Sequence, residues 1–264
     1  MSDLPAGLDV ALVRADNPSP LTLTGTNTWL AGRDPAWVVD PGPLLEAHLE
    51  AVLAEGKRRG GIGGIALTHD HGDHAEAAGE LAARAGGVPV AAARWPDATL
   101  RPGEGERAGP LEAIVLTGHA ADHRCYAFGD ACFTGDAVLG QGSVFIAPGP
   151  GALAGYLHGL GRLRARGFAV LLPGHGPPVR DVAGKLDGYV AHRLERERAL
   201  IDALDAGART IDALLDAAWA DVPEPLRMPA TVTLVAHLDK LAEEGRPAAA
   251  EVQRPEWVST LQGA

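Results

Sequence analysis

The stretch Thr68-His69-Asp70-His71-Gly72-Asp73-His74 decides how this chain is read. It follows directly on the apolar run Ile62 to Leu67 and sets three imidazoles and two carboxylates within seven residues. A borderline-soft divalent ion such as zinc is held by neutral imidazole nitrogen and carboxylate oxygen. His69 and His71 are two residues apart, so in extended chain their side chains leave on one side. Gly72 lets the chain bend, which turns Asp73 and His74 back toward a second ion. A solvated polar loop would also carry such residues; it is set aside because further histidines and aspartates recur in similar surroundings.

Four of these complete a site. Asp40 stands in V-V-D-P-G after the run Trp37 to Val39, and His119 in T-G-H after Ile114 to Leu116. Asp136 stands in F-T-G-D after Cys132 to Thr134, and His175 in P-G-H-G-P after Ala169 to Leu172. Each follows a short apolar run and precedes or sits in a Gly/Pro turn. Side chains at strand ends can converge on one edge of a sandwich, and loops held by a rigid sheet are where sites form. Further runs at Val10 to Val13, Thr28 to Ala31, Val88 to Ala92 and Tyr126 to Phe128 also read as strands. Leu44 to Arg59, Ala75 to Ala85 and Ala152 to Arg166 carry helical apolar spacing. Strands mixed with helices argue for layered α/β packing.

The character of the chain changes near Val182 to Lys185. Lys185 to Leu204 reads as a long amphipathic helix with His192, Arg193, Glu195, Arg196, Glu197 and Arg198 on its wet face. Thr210 starts a short helix, Pro223 and Pro225 break it, and Thr231 to Glu244 forms another that stops at Gly245. Arg246 to Val252 could pair as a small hairpin. The expected organisation is a catalytic domain over 1–184 and a helical, winged-helix-like domain over 185–264.

Composition bounds the function. At 264 residues, 46% hydrophobic and 22% charged, the chain is an ordinary globular protein with ample core. Met1 to Asp9 has no basic stretch followed by an apolar one, so no export signal is expected and the cytoplasm is the expected compartment. No run approaches the roughly 20 apolar residues of a membrane span. Cys125 and Cys132 are the only cysteines and lie in neighbouring segments; a disulfide is conceivable, reduced core thiols are the preferred reading. The net charge of −11 repels phosphate backbones and disfavours a non-specific nucleic-acid binder. The helical residues His48, His158, His192 and His237 read as surface or packing residues, Lys57-Arg58-Arg59 as a solvated helix end, and Asp70 as solvent-facing.

Together these motifs resemble the metallo-β-lactamase superfamily, in its two-metal hydrolase branch. The family signature T-H-x-H-x-D-H is met in full by Thr68 to His74. The resemblance implies an αββα sandwich with a winged-helix-like C-terminal appendage. It implies two zinc ions, with manganese or iron also accepted by the donor set. His69, His71 and His119 would hold the first ion, Asp73, His74 and His175 the second, and Asp136 would bridge them. Asp40 would orient the ligand loop, and His123 would stand just outside the ligands. The family's T-P-G-H-T stands here as L-T-G-H-A (Leu116 to Ala120), which implies a differently shaped loop around His119. G-T-N-T (Gly25 to Thr28), T-G-D-A-V-L-G-Q-G-S (Thr134 to Ser143) and Y-V-A-H-R-L-E-R-E-R (Tyr189 to Arg198) are similar to one subgroup. That subgroup contains a β-lactamase-like endoribonuclease, bacterial relatives and fungal thioesterases.

Two divalent ions about 3.5–4 Å apart can share a hydroxide and lower its pKa toward neutrality. The implied activity is hydrolysis by that bridging hydroxide, which Asp73 would orient. An acyl ester, thioester or other small molecule is the preferred substrate, and single-stranded RNA the alternative. Lys185 to Ala264 holds nine Lys and Arg against fourteen Asp and Glu, a balance that opposes phosphate binding there. A β-lactam fits least, because true lactamases are exported. A non-catalytic metal-binding protein would show a lost ligand, and none is missing. A homodimer is left open.

Overall fold

The computed structural model describes residues 7–259. The export-signal expectation for Met1 to Asp9 therefore falls, over its first six residues, outside the described range. The chain divides into two compact units.

The first unit, residues 1–116, 122–143 and 166–182, holds both sheets. Strands β1 (Val10–Arg14), β2 (Asn27–Ala31), β3 (Ala36–Val39), β4 (Ile62–Ala66) and β5 (Val90–Ala91) form one sheet in that order. The first three pair antiparallel, and β3, β4 and β5 run parallel. Strands β6 (Arg107–Ala108), β7 (Leu111–Val115), β8 (Arg124–Phe128), β9 (Ala131–Gly135) and β10 (Val170–Pro173) form the second sheet. There only β9 and β10 are parallel. Alternation along each strand sorts residues onto two faces. Trp29, Val39, Ala66, Leu111, Tyr126, Phe133 and Leu172 meet between the sheets in one buried core. Leu30, Val38 and Ile65 point the other way, into a layer with α1 (Glu46–Arg58) and α3 (Ala78–Arg84). The outer face of the second sheet carries Ile114, Cys125, Cys132 and Leu171, all buried. Neither cysteine is in a disulfide; Cys125 stands opposite Ile114 and Cys132 opposite Ala127.

The second unit, residues 117–121, 144–165 and 183–264, is helical. It contains α4 (Ala152–Arg166), α5 (Val182–Asp205), α6 (Ile211–Ala218), α7 (Arg227–Glu243), α8 (Pro247–Ala250) and α9 (Glu256–Ser259). Leu200, Leu204, Leu214, Leu215, Trp219, Leu234 and Leu238 form its core. No helix among the described residues is long and apolar enough to cross a membrane.

Several expectations are corrected. The segment Arg246 to Val252 forms no hairpin: it makes the short helix α8, because Pro247 is well placed at a first helical position and three alanines follow it. Helix α7 starts at Arg227 rather than Thr231, since Pro229 sits in the first turn, where a missing N–H costs nothing. The helix expected over Ala75 to Ala85 is two: α2 (Gly72–Ala75) and α3, separated where Ala77 N–H donates to Gly42 O at 3.1 Å. Arg193 leaves the wet face of α5 and is 2% exposed. Arg59 is also buried, spanning Glu55, Asp9 and Gly32 O.

Candidate metal centre

Parallel neighbours present their carboxyl ends on one edge, and in open α/β sheets that edge is where sites form. Asp40 follows β3 and Thr68 follows its parallel neighbour β4; Asp136 follows β9 and His175 follows its parallel neighbour β10. The chain order thus delivers three ligand-bearing loops and the Asp40 loop to the rims of two sheets.

Asp40 organises the first pair. Its carboxylate is 2% exposed, and its backbone takes the left-handed φ of 52°. Oδ1 accepts from Thr68 N at 2.7 Å, and Oδ2 accepts from Thr68 Oγ1 at 2.7 Å and from His74 Nδ1 at 2.9 Å. A carboxylate only accepts, so His74 carries its proton on Nδ1 and turns Nε2 toward the site. The same logic sets His69. Thr68 Oγ1 has given its hydrogen to Asp40, so at 2.9 Å it accepts from His69 Nδ1, which leaves His69 Nε2 facing His71 Nδ1, also at 2.9 Å. Fixing the far ring nitrogen in this way is how metal-binding histidines are oriented.

The ligand atoms then converge. His74 Nε2 lies 3.2 Å from His175 Nε2, 3.5 Å from Asp73 Oδ2 and 3.4 Å from Asp136 Oδ1. His175 Nε2 lies 3.2 Å from Asp73 Oδ2 and 3.4 Å from Asp136 Oδ1. Two groups, Asp73–His74–His175 and His69–His74–Asp136, each bring ligand atoms within 4.8 Å of one another. A cation among them would satisfy nitrogen and oxygen donors at once, and the set suits zinc, manganese or iron. Gly174 keeps this space open. A Cβ there would stand 2.5 Å from His74 Cε1 and 2.8 Å from Asp136 Oδ1.

Burial works against a charged His74, yet Asp136 and Asp40 raise it well above the usual imidazole range. Burial likewise opposes charge on His175, but Asp136 and Asp73 carry it up to about 9. Asp136 is held well below the usual carboxylate range, its burial outweighed by His74 and His175. Asp73 is lowered too, burial being outweighed by its bond to His175. His71 is lowered by burial and then by the charge of His74.

His123 is fully buried with its ring 5.0 Å from that of His69, and it enters none of the ligand groups found among the described residues. Asp70 is exposed, as expected. His119 sits on the short segment 117–121 of the second unit, with Nδ1 3.2 Å from Phe145 O. Sequence reasoning missed Thr68 as the relay between Asp40 and His69, and Gly174 as the gap beside the ligands. The glycine directly before His175 was the available signal. His48, read as a surface or packing residue, packs inward from α1: Nε2 lies 2.9 Å from Thr28 Oγ1 and 3.1 Å from Pro41 O, bracing the Asp40 loop.

Comparison with known proteins agrees with this geometry. The family profile "Metallo-beta-lactamase superfamily" matches residues 21–112, and "Beta-lactamase associated winged helix domain" matches residues 210–252. An atrochrysone carboxyl ACP thioesterase of Aspergillus chevalieri is 30% identical over 81% of this chain and 74% of its own. A metallo-beta-lactamase family protein of Thermus thermophilus superposes with a TM-score of 0.73 at 25% identity, covering 89% of this chain and 94% of its own. A protein solved in a di-iron-bound form has a TM-score of 0.53 at 25% identity over 66% of this chain and 96% of its own. With one profile covering the loops of Asp40 and His69 to His74, the other covering α6 to α8, and a relative 30% identical over 81% of the chain, the chain belongs to the metallo-β-lactamase superfamily of hydrolases.

Proposed function

We propose that this protein hydrolyses an acyl thioester or ester with two zinc ions, in the cytoplasm, where Cys125 and Cys132 stay reduced. His69, His71 and His119 would hold one ion, Asp73, His74 and His175 the other, and Asp136 would serve both. Asp136 shares ligand distance with His69, His74 and His175, members of both sets, which supports the bridging assignment. Bound ions supply Lewis acidity toward a carbonyl oxygen and activation of a water. Asp73, partly open to solvent and held ionised, offers Oδ2 as the acceptor that orients the attacking water. Asp40 keeps His74 in the tautomer that presents Nε2, and Thr68 does the same for His69.

The observation that favours an acyl substrate over RNA is the burial of α7. The helix is buried at every position from Ala230 to Leu238, on all its faces. A helix that contacts nucleic acid must offer it an exposed face. The acidic balance of the C-terminal region and the fungal thioesterase relative support the same side.

The test is to load the full chain with zinc and offer an S-acyl N-acetylcysteamine thioester and a short single-stranded RNA in parallel, with Asp73→Ala as control. Thioester turnover that is lost in the variant is the expected result. RNA cleavage lost in the variant, without thioester turnover, replaces the acyl reading with a nuclease. A thioester rate equal in Asp73→Ala and the parent removes the role given to Asp73.

A further inference from the structure

His119 is aimed by residues that lie far from it in sequence. Its Nδ1 faces Phe145 O at 3.2 Å, and a carbonyl only accepts, so the proton sits on Nδ1 and the lone pair on Nε2. The Phe145 ring lies 4.5 Å from the imidazole, tilted by 54°. The residues on either side of Phe145 are pinned. Val144 O accepts from Arg193 Nη2 on α5. Ile146 N donates at 3.1 Å to Thr233 Oγ1 on α7. Thr233 spends its own hydrogen on Pro229 O at 3.2 Å, so its oxygen is fixed as an acceptor for Ile146. One residue on, Ala147 N donates at 2.8 Å to Gly118 O, directly before His119. Gly118 has a φ of 131°, and a Cβ there would stand 2.6 Å from Tyr156 Cβ, so the His119 loop lies tightly on α4. The Arg193 guanidinium stands 6.0 Å from the Tyr156 ring centre.

Arg193 and Thr233 are each 2% exposed. Burying a guanidinium is costly unless its donors are used, and here a donor is used on the backbone of this strap. Thr233 lies inside the stretch matched as a winged helix, so that part of the chain contributes a buried hydroxyl to the strap.

We propose that Arg193 and Thr233 are positioning residues for His119: through the backbone of Val144 to Ile146 they hold the carbonyl that fixes its tautomer and aim. This rests on the reading of His119 as a metal ligand. It gives the C-terminal helices a part in orienting a metal ligand. Partners that orient a ligand typically change metal affinity about 10–100-fold when removed. Acting through one intervening peptide, Thr233→Val is expected to weaken one zinc ion about tenfold.

The experiment measures zinc stoichiometry and affinity of the full chain by chelator competition, for the parent, His119→Ala, Thr233→Val, Thr233→Ser and Arg193→Met. Imidazole ¹⁵N shifts of the zinc-free parent are recorded alongside, a readout that needs no variant to fold. The expected pattern is loss of one ion in His119→Ala, about tenfold weaker binding of that ion in Thr233→Val and Arg193→Met, recovery in Thr233→Ser, and a protonated Nδ1 on His119. Thr233→Val and Arg193→Met within twofold of the parent, while His119→Ala loses its ion, overturns the positioning role alone. A protonated Nε2 on His119 in the parent does the same. Two ions retained by His119→Ala overturns the ligand reading and the positioning role together.

Discussion

Asp40 binds no metal in this reading, yet three hydrogen bonds end on its carboxylate. Asp40→Ala strands the buried amide of Thr68 and frees both Thr68 Oγ1 and His74 Nδ1. It should destabilise the zinc-free protein by ~2–4 kcal/mol, as leaving buried partners unmet does. It should also weaken zinc about 10–100-fold through the freed rings. Urea unfolding checks the first and chelator competition the second; unchanged zinc affinity would show that the rings are held without Asp40. The histidines also set a pH dependence. His175 holds its proton up to about 9 in the folded, zinc-free chain against an ordinary 6.5. Its pairing therefore adds stability that is fully present below 6.5 and fades as pH rises through about 9. The zinc-free melting temperature should fall across that window. Zinc must displace the same proton, so loading at pH 7 should release protons, measurable by calorimetry in buffers of different ionisation enthalpy.

At the scale of the element, helix ends are the simplest test. Thr210 caps α6 by accepting from Ala213 N at 3.3 Å. Thr210→Ala should cost about 1 kcal/mol in thermal unfolding and leave zinc affinity unchanged. This cap was legible in the sequence, as were the strands that lead into Asp40, His69, Asp136 and His175, because each pairs a short apolar run with a turn. Strand β6 was not. It is two residues long and exists only as the partner of Glu112 and Leu111 across a tight turn. The expected hairpin at Arg246 to Val252 failed because local preference, a proline followed by alanines, favours a helical turn. Arg193 and Arg59 were placed in water by charge alone. What reverses that is a set of acceptors brought from elsewhere in the chain, such as Val144 O for Arg193 and Gly32 O for Arg59, and no local pattern carries that information.

For the whole molecule, the proposed metal binding and the fold would share one equilibrium. Ligands gathered from residues 69 to 175 meet only in the folded chain, so zinc should stabilise it. Free zinc at 100 times its dissociation constant adds about 2.7 kcal/mol per site. A melting temperature that rises with zinc and falls back with chelator checks this, and indifference to zinc would detach the site from the fold. One tie has a further consequence. Asn27 at the start of β2 donates its backbone N–H to Gly174 O at 2.7 Å and its amide to Pro173 O at 3.0 Å and Gly176 O at 2.8 Å. Trp29 Nε1 adds a donation to Pro173 O at 3.0 Å. These bonds clasp the rim of one sheet to the rim of the other beside the ligands. The jaw of the sandwich is locked there, so a bulky guest cannot enter by prising the sheets apart. Admission is left to the outer loops, and a change of diet would be written in those loops while the hinge side stays the same.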